Sequence, residues 1–356
     1  MRVLQIGSDR SKRGILFPGT PAFERQQAYA NGFDHLDIIG FSLRGDGAVP
    51  LAQRNLSIRP TDSFLKLFYG LDTLRIVRTL PKPDVISVQD PFEAGLLGLF
   101  IARRLRAPLH VQVHTDFLSP HYAQLSMVNR LRVALAGFVL HRASRVRVVS
   151  DRVKSEIIAR YGLKTHISVL PIFVDVEHFR SARFNLDVAA RFKDFKTKVL
   201  VVSRLEPEKN VALAIESFAK VAPAGTCLVI IGEGSERQKL ESLAAEKNVA
   251  DTVFFEGSVA PIDYYPIVDL VLVTSHYEGY GLVIIEALAA GKPVLSTDVG
   301  VARAAGAIIA DEKHFPEALA EWFKSGPREM QLNKYPYKNF EEYVREYCED
   351  VISCIN

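Results

Sequence analysis

Two cations and two acids carry the chemistry legible in this 356-residue sequence. After the apolar run Val199–Val202 comes Ser203-Arg204-Leu205-Glu206-Pro207-Glu208-Lys209-Asn210, followed by a stretch of helical character. That order puts Arg204 at the carboxyl end of a strand and Lys209 at a helix N-terminus, with Asn210 placed to cap it. Two cations beside a helix dipole suit a di-anion such as pyrophosphate. The competing reading is a pair of solvated charges in a strand-to-helix loop. The second group is Ser275-His276-Tyr277-Glu278-Gly279-Tyr280-Gly281-Leu282-Val283-Ile284-Ile285-Glu286. Glu278 ends the loop after the strand Leu270–Thr274, and Glu286 lies a turn or more inside the next helix. An acid among Val283, Ile284, Ile285, Ala287 and Leu288 is costly unless a donor meets it. Sugar or ribose hydroxyls are such donors, and a neighbouring lysine is the alternative. Gly279 and Gly281 allow a ligand close to the backbone, and the helix start offers unpaired N–H groups.

The elements that must position these groups repeat one alternation twice. Apolar runs at Val3–Ile6, Leu36–Ile39, Val85–Val88, Leu109–Val113 and Val146–Val149 form the first series, with helical stretches such as Ala94–Leu105 between them. Lys198–Val202, Cys227–Ile231, Val253–Phe255, Leu270–Val273 and Pro293–Leu295 form the second, with helices at Asn210–Val221, Glu236–Lys247 and Leu282–Ala290. Short apolar runs alternating with helices predict parallel strands buried on both faces. The fold class is therefore α/β, with two Rossmann-like domains linked near Leu170–His178. Ligands of such sheets bind beyond the carboxyl ends of the strands, so a cleft between two facing sheets is the expected site.

Composition narrows the classes. The chain is 48% hydrophobic and 24% charged, as in soluble globular proteins. No apolar run reaches the roughly 18 to 20 residues that span a bilayer. Met1 leads straight into a strand-like run, so no signal peptide is expected. Cys227, Cys348 and Cys354 have neither metal-ligand spacing nor a disulfide framework, so a cytoplasmic protein is expected. The net charge of +3 divides into +11 for residues 1–172 and −8 for the rest. An anionic partner of the first half, or simply an unevenly charged solvated surface, fits that asymmetry.

Glu278-x7-Glu286, preceded by Ser203-Arg204-Leu205 and Lys209, resembles the retaining GT-B glycosyltransferases of family 4. Ile231-Gly232-Glu233-Gly234 resembles that family's glycine turn, Glu256-Gly257-Ser258-Val259 its base-contacting stretch, and Gly291-Lys292-Pro293-Val294 the segment after its second acid. The resemblance is dense over residues 197–300 and thin before 170. It implies a GT-B architecture, two Rossmann-like domains facing a central cleft. A donor-binding domain would span 172–337, and an acceptor-side domain 1–171 plus a terminal helix of about 338–356. It implies roles as well. Arg204 and Lys209 would hold the donor diphosphate and neutralise the leaving phosphate, and Glu286 would bind ribose. Glu278 and the backbone of Gly279, Tyr280, Gly281 and Leu282 would contact the sugar. Gly232, Gly234 and Val259 would border the nucleotide. In the first half, His114 in Gln112-Val113-His114-Thr115-Asp116 matches the family histidine near the reacting centre; a structural histidine at a strand end is the alternative. The loop Gly7–Thr20 lacks the usual adjacent glycine pair, leaving Gly14 or Gly19 to serve. Gly300-Val301 departs from a paired glycine seen in many relatives.

The reaction so implied stabilises a nucleoside diphosphate leaving group while an oxocarbenium-like centre forms. No Asp-X-Asp triplet occurs, so the expected transfer of a hexose from a UDP- or GDP-sugar needs no metal and no cofactor. A sugar-nucleotide epimerase of the same fold and a non-catalytic nucleotide-sugar or RNA binder are the alternatives. The basic-aromatic interleaving of single-strand binders is missing, so no nucleic-acid partner is expected. The acceptor would be a glycan of the cell envelope or a lipid-linked sugar. Arg103, Arg104, Arg106, Arg130, Arg132, Arg142, Arg145 and Arg147 flank apolar stretches that include Leu131–Leu140, a pattern suited to peripheral contact with an anionic membrane. A core helix with solvated arginines fits the same pattern.

Overall fold

A computed structural model describes residues 1–7 and 14–355, which divide into two compact units, 1–171 with 337–356 and 172–336. The stretch Ser8–Arg13 of the first glycine-bearing loop lies outside the described residues.

The first unit is built on β1 (Arg2–Gly7), β2 (His35–Gly40), β3 (Leu51–Ala52), β4 (Leu56–Pro60), β5 (Val85–Val88), β6 (Leu109–Val113), β7 (Arg145–Val148) and β8 (Ile167–Val169). Its helices are α1 (Pro21–Ala30), α2 (Tyr69–Val77), α3 (Glu93–Leu105), α4 (Pro120–Gln124), α5 (Met127–Leu140) and α6 (Asp151–Tyr161). The strand order is β3-β4-β2-β1-β5-β6-β7-β8, parallel except for the β3–β4 pair at the edge. The central strands are buried on both faces, but Gln5, Ser87, His110, Gln112 and Arg147 stand among their Val, Ile and Leu residues. The chain order reverses between β1 and β5, which makes their carboxyl ends the switch point of this sheet. Strands β3 and β4 escape a search for apolar runs because Leu56-Ser57-Ile58-Arg59-Pro60 alternates in character.

In the second unit come α7 (Val176–Arg180), α8 (Leu186–Arg191), β9 (Thr197–Val202), α9 (Val211–Val221), β10 (Thr226–Ile231), α10 (Arg237–Glu246), β11 (Val253–Gly257), β12 (Leu270–Val273), α11 (Leu282–Ala289), β13 (Val294–Ser296), α12 (Ala302–Ala305), β14 (Ile308–Ile309) and α13 (Phe315–Ser325). All pairs in the order β11-β10-β9-β12-β13-β14 are parallel. Here the switch point falls between β9 and β12, the two strands whose following loops hold the cations and the first acid.

The last helix, α14 (Phe340–Ile352), belongs to the first unit and packs against α1 and β5. Its inward face is polar as well as aromatic. Asp350 accepts from His110 Nε2 at 3.0 Å, Arg145 Nε at 2.6 Å and Ser168 Oγ at 2.6 Å. Arg147, only 2% exposed, donates to Gln112 Oε1 at 2.8 Å and to the Leu170 carbonyl at 3.0 Å, with the rings of Tyr343 and Tyr347 against its guanidinium. This corrects the sequence pattern, which grouped Arg145 and Arg147 with lipid-facing arginines. They alternate along β7 onto the face that α14 covers, Arg145 pairing with Asp350 and Arg147 packing on Tyr343 and Tyr347.

Candidate active site

The switch point of the second unit is laced together by hydrogen bonds between three strand-end loops. Thr274 Oγ1 donates to the Lys209 carbonyl at 3.2 Å, His276 N–H to the Glu208 carbonyl at 2.9 Å, and Thr297 Oγ1 to the Ser275 carbonyl at 2.6 Å. The loops after β9, β12 and β13 therefore move as one piece. Within this frame Lys209 Nζ lies 2.6 Å from Glu278 Oε1, both side chains largely shielded, and Ser275 Oγ donates to the same oxygen at 2.8 Å. Arg204 sits two residues past β9 with its side chain 70% exposed, reaching Glu208 Oε1 at 2.7 Å. Each cation thus has a carboxylate partner, and each keeps N–H donors beyond the one its acid takes.

Asn210 departs from the expected cap. Pro207–Lys209 forms a 3-10 turn, and Asn210 leaves it in the left-handed region at φ 48°, with no side-chain bond to the first amides of α9. A capping side chain works from extended backbone, which this exit from the turn denies.

Gly232 and Gly234 have a packing reason for being glycine. A Cβ would stand 1.8 Å from the Ser203 carbonyl at Gly232 and 2.2 Å from the Leu205 carbonyl at Gly234. The loop after β10 thereby lies directly on the Arg204 loop, and Leu205 N–H bonds the Glu233 carbonyl at 2.9 Å. Val259 follows β11 and is exposed. Gly300 does the same for the acidic loop. Its φ is +50°, and an added Cβ would meet the Tyr280 carbonyl at 2.2 Å. That carbonyl accepts from Val301 N–H at 2.9 Å, while the Tyr280 ring is buried and burial pushes its phenol up. Gly281 is the cap residue of α11 and Leu282 its first, half-exposed position, so no side-chain acceptor occupies the first amides of this helix.

Glu286 lies on α11, one turn past that start. Tyr265 Oη donates to its Oε2 at 2.9 Å, and burial raises the carboxyl group's pKa while this bond lowers it. The partner is therefore a tyrosine, not the lysine that the sequence left open; Lys292 instead reaches the Pro266 carbonyl. Nothing in the spacing singles out Tyr265, which comes from the loop after β11, 21 residues upstream.

At the switch point of the first unit, the Gly14 carbonyl accepts from Phe17 N–H at 3.2 Å and Thr20 Oγ1 at 3.0 Å, and Thr20 caps α1. Gly19 has φ +79° with open space where a Cβ would stand. His114 is the residue after β6, half-buried, its pKa lowered to about 3 first by burial and then by Arg147, Arg25 and His110. It is a neutral imidazole at any physiological pH, able to donate one hydrogen bond and accept another. Two residues on, Asp116 is buried, and burial with the neighbouring Glu156 pushes its carboxyl up to about 7 against the pull of Arg152.

The family described as "Glycosyltransferase Family 4" matches residues 34–178, and that described as "Glycosyl transferases group 1" matches residues 183–339. The chain is 29% identical over 228 residues to alpha-monoglucosyldiacylglycerol synthase of Streptococcus pneumoniae, covering 60% of this chain and 51% of the relative. It is 32% identical over 241 residues to the GDP-mannose-dependent alpha-mannosyltransferase of Mycobacterium tuberculosis, covering 65% and 60%. The chain thus spans little more than half the length of the curated relatives it matches. In fold it is similar to Anabaena HepE, solved in complex with UDP and glucose, with a TM-score of 0.71 at 19% identity over 100% of this chain and 97% of that one. Two matches that run in tandem over most of the sequence, on two parallel α/β sheets of this topology, place the chain in glycosyltransferase family 4, with the GT-B fold.

Proposed function

We propose that the protein transfers a hexose-type sugar from a UDP- or GDP-sugar to a glycan or lipid-linked acceptor, with retention of configuration and without a metal. The single observation that carries this reading is the Lys209–Glu278 pair at the β9–β12 switch point, with Arg204 in the same laced set of loops. Lys209 and Arg204 neutralise the diphosphate as the glycosidic C–O bond breaks. Glu286, steadied by Tyr265, receives the ribose hydroxyls. Glu278 and the backbone from Gly279 to Leu282 hold the sugar, and Val259 borders the base; in the first unit, Gly14 or Gly19 and the neutral His114 are the candidates that the resemblance implies. Gly232 and Gly234 act through the Arg204 loop. No nucleophile is required if the acceptor hydroxyl attacks the face the diphosphate leaves, giving its proton to the departing phosphate.

Supporting the choice of donors, HepE was solved with UDP and the mycobacterial relative is named for GDP-mannose. The streptococcal relative is named for a diacylglycerol product, which favours a lipid-linked acceptor. No helix among the described residues is long and apolar enough to cross a membrane. Peripheral docking from the cytoplasmic side is supported by α3 and α5, where Leu96, Phe100, Met127, Leu131 and Phe138 are exposed beside Arg103, Arg104, Arg130 and Arg142. Nucleotide release from a panel of UDP- and GDP-sugars, assayed after EDTA treatment, tests the reading. Release that depends on an added acceptor supports it. Activity that vanishes with EDTA and returns with Mn²⁺ would end the metal-free part, and interconversion of the sugar without release would make the protein an epimerase.

A further inference from the structure

The segment that joins β4 to α2 displays apolar side chains outward from a fixed backbone. Phe64 is 68% and Leu67 84% exposed, and Leu65, Phe68 and Leu71 are exposed as well. Scattered exposed leucines need no explanation, but this many large apolar groups within eight residues mark an interaction site. The segment is well anchored. Ser63 N–H donates to the Ser42 carbonyl at 2.9 Å and Arg44 N–H to the Ser63 carbonyl at 3.0 Å, which aligns it with the end of β2. Ser63 Oγ donates to Asp72 Oδ2 at 2.7 Å, and Phe41 stacks on Tyr69 at 5.0 Å between centroids. The 3-10 turn Lys66–Phe68 runs directly into α2, with Phe68 N–H on the Leu65 carbonyl at 3.0 Å and Tyr69 N–H on the Lys66 carbonyl.

Charge selects the medium. The Arg44 guanidinium lies 6.0 Å from the centre of the Phe64 ring, Lys66 is exposed within the segment, Arg75 follows on α2 and Arg78 just after it. Of the nearby acids, Asp72 is held by Ser63 and by Arg75 at 2.8 Å, Asp46 accepts from Leu43 N–H at 2.7 Å, and Asp62 is exposed before the tip, leaving the cations in the majority. A cationic rim around an apolar tip repels a second copy of itself, and so short a tip falls below the roughly 800 Å² that each partner contributes to a stable protein interface. An anionic bilayer answers both features. Because β4 runs parallel to β2, the segment leaves the sheet at the carboxyl edge that also carries His114.

We propose that residues 64–71 form a wedge that enters the interfacial layer of an anionic membrane. The inference rests on the reading of peripheral docking given above and adds the element that penetrates. Co-sedimentation of the full chain with phosphatidylcholine vesicles, with and without phosphatidylglycerol, tests it. Wild type should bind the anionic vesicles, Lys66→Glu should weaken binding by roughly fivefold or more, and Phe64→Glu with Leu67→Glu by at least about tenfold. Nucleotide release with a water-soluble acceptor should persist in both variants. Equal binding by wild type and the double variant would sink the wedge while leaving docking through α3 and α5 standing. Failure of wild type to bind either vesicle would remove both. A wild-type dimer that the double variant converts to monomer would reassign the surface to self-association. Trp322 is the sole tryptophan and is buried, so Leu67→Trp supplies a reporter in a folded protein. Spin-labelled lipid should quench its emission, and unquenched emission from vesicle-bound protein would overturn the proposal.

Discussion

On the proposed function, a diphosphate arriving at Lys209 would meet an ammonium group with one of its three donors already on Glu278. The pair holds the lysine in place before the donor binds, so little side-chain freedom is lost on binding. Lys209→Ala should lower kcat/KM for donor turnover by about 10²- to 10³-fold, as loss of a transition-state contact does; an unchanged rate would remove Lys209 from the site. Tyr265 acts one step back. It occupies Glu286 Oε2, so on the proposed function the other carboxylate oxygen is the one a ribose hydroxyl would meet. Tyr265→Phe should reduce kcat/KM by about tenfold, the worth of a hydrogen bond to a charged group. It should also shrink the preference for a ribose over a 2′-deoxyribose donor. A loss in rate with that preference intact would make the tyrosine a packing residue only.

Loops rather than regular elements set the site's precision, and their contacts are backbone contacts. The Ser203–Leu205 loop lies under Gly232 and Gly234, and the Glu278–Gly281 loop over Gly300, at approaches that no Cβ fits. Gly300→Ala combines a positive φ with a clash against a carbonyl, and should cost about 2 kcal/mol or more. Its thermal midpoint should fall by several degrees, and donor KM should rise as the Tyr280 carbonyl shifts. A variant with wild-type melting and kinetics would show that this loop adjusts freely. The family's paired glycine is replaced here by Gly300-Val301, and Val301 N–H supplies the bond to that carbonyl.

At the scale of the whole molecule, α14 closes the first sheet with a buried ionic seam. His110, Ser168 and Arg145 bonds hold the Asp350 carboxyl well below its ordinary range against the cost of burial. A depressed carboxyl contributes stability above its unfolded pKa of about 3.9, and that contribution is lost as pH falls through the folded value. The His114 shift, down to about 3, acts in the same sense from a higher pH. The unfolded chain takes up that proton near pH 6.5 and the folded one does not, so stability falls as pH drops below about 6.5. Asp350→Asn strands Arg145 beside an uncharged amide and should destabilise the protein by about 3 kcal/mol. Chemical denaturation of wild type and variant at pH 7 and pH 4 checks both statements. Equal midpoints for the two proteins at pH 7 would show that the seam contributes nothing.

Much of this was legible from residues alone. Val85–Val88, Leu109–Val113 and Leu270–Val273 begin and end as strands where the apolar runs do, because burial leaves a local signature that survives even where Ser87, His110 and Gln112 interrupt it. The order of cations, glycines and acids along the chain was legible too, since each follows a strand that such a run defines. Partnership was not. Whether Glu286 meets a lysine or Tyr265, whether Asn210 caps α9, and whether Arg147 faces lipid or α14 depends on which segments the sheet order brings together. Periodicity reports the environment of one segment at a time, whereas a hydrogen bond between loops far apart in sequence exists only once the strands between them have paired.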